Sequence, residues 1–96
     1  MISEHSKIAK CTGLMESIID NEAVILGVES GKYIGLDEIA TEIWSRLDQP
    51  IVVSDIILDL NDIYDENEIV IKEHVIEFLD DLLTKSLIRE VDANQP

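Results

Sequence analysis

Chemistry in a short chain rests on few side chains, and here they are sparse. Histidine occurs as His5 and His74, and cysteine only as Cys11. His74 with Glu73 and Glu77 has the elements of a metal set, but Glu77 is only three residues on and no second histidine shares that face. A solvated helix surface accounts for them better. Cys11 has only Lys10 as a neighbouring cation and reads as a small hydrophobe rather than a nucleophile. Asp80 and Asp81 fall on a polar helix face. No GxGxxG or Walker-type run is present to cradle a phosphate. An enzyme needs a nucleophile with its base, a metal set, or two carboxylates in a cleft, and none of these is legible. The expectation is no catalytic residue, no metal and no cofactor.

The elements around these residues are those of one small domain spanning 1–96, with its core over about 14–91 and a loose tail at 92–96. The chain has 96 residues and a formal net charge of −14, yet 46% of it is apolar, which is too hydrophobic for disorder. The opening MISEHSKIAK lacks the apolar stretch of a signal peptide, and no apolar run reaches the roughly 18 residues of a membrane span. A soluble, cytoplasmic protein without membrane contact is expected.

Charge and periodicity both change at Leu36. Residues 1–36 carry five acidic and three basic residues; residues 37–96 carry sixteen acidic and four basic ones. The first part predicts strands at Leu14–Asp20, Ala23–Glu29 and Lys32–Leu36. They are separated by the turn residues Asp20-Asn21-Glu22 and Ser30-Gly31. Before Leu14 no period is firm, and edge pairing and fraying both remain open. The second part predicts a helix over Glu38–Leu47 capped by Asp37 and stopped at Gln49-Pro50, and a helix after an N-cap at Ser54 that closes at Tyr64. A third, long helix is predicted over Glu68–Lys85. Leu87–Val91 is a short extended segment. This order is that of an α+β winged helix-turn-helix domain, with a three-stranded antiparallel sheet at the N-terminus followed by three helices.

That fold invites a DNA-binding reading, which charge opposes. The third helix holds Glu68, Glu73, Glu77, Asp80 and Asp81 against Lys72 and Lys85, a net of −3 that would meet phosphates with repulsion. Its apolar side says more. Ile71, Val75, Phe78, Leu79 and Leu82 form a core-facing arc, and Ile69, Ile76 and Leu83 widen it toward half the circumference, beyond the roughly 100° a surface helix needs. Two explanations stand: a central helix flanked on both sides, or a groove beside it that takes a partner. If Lys32–Leu36 lies at a sheet edge, its backbone offers an extended peptide the other half of such a groove.

The residues Gly31, Tyr33, Gly35, Leu36, Ala40, Ile43 and Trp44 make a G-x-Y-x-G-L-x-x-x-A-x-x-I-W pattern. With Phe78-Leu79, Leu82 and Leu87-Ile88, it resembles the pyrroloquinoline-quinone biosynthesis protein D family, the RiPP recognition elements. Tyr33 and Trp44 make it most similar to the standalone members of lasso-peptide clusters. Ser86 stands where the family usually has Gly, Asp37 where many relatives have Asn, and His74 where an acidic residue is common. The resemblance implies a non-enzymatic protein that binds the leader of a ribosomally made precursor peptide as an added strand. It implies presentation to a separate cysteine, transglutaminase-like leader peptidase, or alternatively service as a peptide carrier in a radical-enzyme pathway. The residues expected to bind the leader are Lys32, Tyr33, Ile34, Gly35 and Leu36 on the strand and Ile69, Lys72, Ile76, Leu79 and Leu83 on the third helix. No nucleic-acid partner is expected.

Overall fold

The computed structural model describes residues 2–20 and 22–91. The expected loose tail at 92–96 and Asn21 of the first turn lie outside them. Strands β2 (Leu14–Ile19), β3 (Glu22–Gly27) and β4 (Tyr33–Leu36) form an antiparallel sheet in that spatial order. Helices α1 (Glu38–Ser45), α2 (Val53–Ile63) and α3 (Glu68–Thr84) follow. The sheet-then-helices order is the one the sequence predicts.

The segment before Leu14 does not fray. β1 (Lys7–Lys10) is the centre of a second antiparallel sheet, between β5 (Ile51–Val52) and β6 (Ile88–Val91). Its neighbours Ile8 and Ala9 are both buried, so the strand is covered on both faces and shows no alternation for a period-2 search to find. Lys10 ties this sheet to the rest. Its ammonium lies 2.8 Å from Asp48 Oδ1 and 4.5 Å from the centroid of the Trp44 ring, whose Nε1–H donates to Glu16 of β2.

One helix start differs from the sequence expectation, and one helix end is closed by a residue other than glycine. Ser54 is not a cap: α2 starts two residues earlier than expected, at Val53, with Val52 in the cap position and no side-chain cap bond. The N-terminal segment supplies what a cap would. The Ser6 and Glu4 carbonyls accept from the N–H groups of Val53 and Ser54, each at 2.9 Å. At the end of α3, Ser86 adopts φ +61°. The N–H groups of Ser86 and Leu87 donate to the carbonyls of Leu83 and Leu82, each at 3.0 Å. This is the Schellman ending, with a serine at the left-handed position glycine favours. Asp37 caps α1 as expected, its Oδ1 accepting from the Ala40 N–H at 2.8 Å.

The core gathers one face of each element. α3 contributes Ile71, Val75, Leu79 and Leu82, α1 contributes Ile43 and Trp44, α2 contributes Ile56 and Leu60, and the first sheet contributes Ile25 and Leu36. Phe78, expected among the core residues, is only half-buried. It lies at the margin of the arc, facing α1.

Candidate peptide-binding groove

β4 pairs with β3 on one side and ends the sheet on the other. The Gly27 N–H donates to the Lys32 carbonyl at 2.9 Å, and Ile34 and Leu36 stand opposite Ile25 and Ala23. By the two-residue alternation of an antiparallel ladder, Ile34 and Leu36 turn their backbone polar groups toward β3, as does the Lys32 carbonyl. Tyr33 and Gly35 turn theirs outward. The N–H groups open to an added strand are therefore those of Tyr33 and Gly35. Side chains alternate as well: Leu36 is buried and Ile34 half-buried on the inner face, while Tyr33 is 66% exposed on the outer one.

Where β4 ends at Asp37, a trough of about 500 Å³ opens between α1 and α3. Asp37, Ile39, Ala40 and Ile43 form one wall; His74, Glu77, Phe78 and Asp81 form the other. A smaller apolar socket of about 60 Å³ adjoins it, sharing Ile39 and His74 and closed by Leu60, Tyr64, Val70 and Ile71, with Glu66 at its rim. The floor is aliphatic and aromatic, the rim acidic. Asp81 accepts from Lys85 at 2.6 Å; Glu77 has no ion-pair partner among the described residues. The Tyr64 phenol is held above its usual pKa of 10.0, first by desolvation and then by the charges of Glu38 and Glu42; Arg46 opposes and Asp37 adds.

The strand residues expected from the sequence stand at this edge, but the helix residues do not join them. Leu79 has no exposed surface and lies in the core, beneath the groove rather than in its wall. Ile69, Lys72, Ile76 and Leu83 lie on the other flank of α3, where Ile69, Lys72 and Ile76 line a second open trough of about 630 Å³ with Glu73, Glu77 and Asp80. Ile69 and Lys72 there adjoin Ile57, Leu58 and Asn61 of α2. The N-terminal segment braces that flank: Glu4 Oε2 lies 3.0 Å from Lys72 Nζ, and the Ile2 N–H donates to Asp80 Oδ1 at 2.9 Å. The lysine, chiefly through its hydrogen bond and then through its charge, holds the Glu4 carboxyl below its usual pKa of 4.5.

The wall residues the sequence reading missed are His74, Glu77, Phe78 and Asp81. Their spacing of three, one and three is that of a single helix face, opposite Ile39, Ala40 and Ile43 at a similar spacing on α1. Matching those two faces was the signal that could have found them. Among the described residues no group of three or more His, Cys, Asp or Glu side chains is placed to hold a metal ion. No helix among them is long and apolar enough to cross a membrane.

The family model of coenzyme PQQ synthesis protein D (PqqD) matches residues 22–88, from β3 to the start of β6. No curated protein matches. A solved structure, described as TbiB1 in complex with the TbiA(beta) leader peptide, superposes with a TM-score of 0.76 at 25% identity. The match covers 88% of this chain and 98% of that one. With its sheet, its three helices and the family pattern from Gly31 to Trp44 in place, the chain belongs to the coenzyme PQQ synthesis protein D family and is a PqqD-like RiPP recognition element.

Proposed function

We propose that this chain is a non-catalytic adaptor for a precursor peptide. The leader segment adds as a strand along Tyr33–Leu36, and its inward side chains enter the trough between α1 and α3. The observation that carries the reading is the unpaired edge of β4 leading into an apolar-floored trough. The superposable protein solved with a leader peptide supports it. The adaptor then presents the precursor to a separate cysteine, transglutaminase-like peptidase, with lasso-peptide assembly favoured by the Tyr33 and Trp44 pattern. A second reading, delivery of a peptide to a radical enzyme, is consistent with a family described by coenzyme synthesis. A winged-helix DNA regulator is disfavoured by the five acidic residues within α3.

The test is titration of labelled synthetic leader peptides, the TbiA(beta) leader among them, against two proline variants. Gly35→Pro removes an outward N–H, and a Cβ at Gly35 meets nothing within 4 Å, so the variant should fold and lose binding. Ile34→Pro removes an N–H directed at β3 and should cost about 1–3 kcal/mol of stability. Normal peptide affinity in Gly35→Pro would place the peptide elsewhere. Adding a candidate peptidase or a radical enzyme to the loaded adaptor then separates the two pathway readings by product.

A further inference from the structure

The trough has a feature that strand addition alone does not require: an acidic rim directly above an apolar floor. Asp37, Glu77 and Asp81 stand around Ala40, Ile43 and Phe78, and the aliphatic socket opens from the same trough at His74. A long cationic side chain satisfies both surfaces at once. Its methylenes lie on the floor while its charged end reaches the carboxylates. A purely apolar side chain would cover the rim and leave Glu77 partly desolvated with no cation; an acidic one would be repelled.

Distance along α3 sets the spacing. From His74, where the socket opens, Glu77 and Asp81 lie three and seven residues further on, about 4.5 and 10.5 Å along the helix axis. Alternate residues of an extended strand point to the same side about 7 Å apart. For a strand lying along α3, a side chain anchored in the socket therefore places the next inward one between the two carboxylates.

Building on the adaptor reading, we propose that the trough selects a leader segment in which a lysine or arginine stands two residues from an aliphatic anchor. The anchor fills the socket beside Ile39 and Val70, and the cation spans Glu77 and Asp81. Lys85, already paired with Asp81, limits the rim to one such cation.

Selection of displayed random 12-residue peptides on the folded protein tests this. The wild-type chain should enrich Lys or Arg at two residues from Leu, Ile or Val. Glu77→Gln with Asp81→Asn should keep the aliphatic preference and lose the basic one, and Glu77→Lys with Asp81→Lys should turn it toward Asp or Glu. The chain carries a net charge of −14, so a control is needed for unspecific attraction. Glu29→Lys with Asp62→Lys, two exposed sites away from the trough, makes the same charge change and should leave the spaced preference intact. For a selected peptide, Lys→Gln should weaken binding to the wild-type chain about five-fold at low salt, and less as salt rises. Enriched peptides without a spaced basic residue, or a preference unmoved by the charge reversal, would overturn the selectivity while leaving the adaptor standing. No enrichment of any extended peptide would overturn both.

Discussion

The two flanks of α3 carry similar residues and meet different fates. One flank presents Ile69, Lys72, Ile76 and Leu83; the other presents His74, Glu77, Phe78 and Asp81. Each mixes apolar and charged side chains beside the same buried stripe of Ile71, Val75, Leu79 and Leu82. The first adjoins α2 and is braced by the N-terminal segment through Glu4 and Ile2. The second faces α1 across an open trough. Both flanks border open space, so the width of an apolar arc does not report which neighbour stands on either side of it. What adjoins each flank is decided by elements distant in sequence, on the first flank by residues about seventy positions upstream.

The largest effect should come from the stripe both flanks share. Leu79→Ala removes a fully buried side chain and should cost about 2–5 kcal/mol in urea unfolding. Phe78→Ala, on a half-buried ring, should cost only about 1–2 kcal/mol. Peptide titration then reverses their order: the folded fraction of Leu79→Ala should bind normally, whereas Phe78→Ala should bind poorly because the trough floor is gone. Equal stability losses would mean that Phe78 is core, and the distinction between flank and stripe would fail there.

A smaller effect tests the flanks against each other. Ile76 is half-buried on the braced side. Ile76→Asp should lower stability by about 1–2 kcal/mol through lost apolar contact, its carboxylate remaining hydrated. Leader affinity should be unchanged. Loss of binding in a folded Ile76→Asp protein would move the groove to the other flank and break the comparison.

Much of this was legible in the sequence. The hairpin and α1 follow from turn residues, a cap and an apolar stripe that are local in the chain, and the edge position of Tyr33–Leu36 follows from their order. Two things were not local. β1 lacks alternation because both its faces are covered by segments from other parts of the chain, and α2 needs no cap at Ser54 because the Ser6 and Glu4 carbonyls meet its first turn. The same N-terminal segment braces one flank of α3 and not the other. One long-range placement, invisible to periodicity, therefore accounts both for the misplaced cap and for the different neighbours of the two flanks of α3.

The smallest effect concerns the brace. Glu4 and Lys72 are both substantially exposed, so their pair contributes little at neutral pH, but its sign is defined. The carboxyl of Glu4 titrates below 4.5 in the folded chain because Lys72 hydrogen-bonds it and attracts its charge. A depressed carboxyl pKa favours the folded state at pH values above the unfolded value. That contribution fades as pH falls from 4.5 through the lower folded value. Lys72→Met should return the Glu4 titration, followed by carboxyl NMR, toward 4.5 and remove this share of the acid sensitivity. It should leave leader binding unchanged, since the trough lies across the helix. If Lys72→Met instead weakened leader binding without unfolding the chain, the braced flank would be contributing to the site. The two sides of α3 would then have to be treated as one surface.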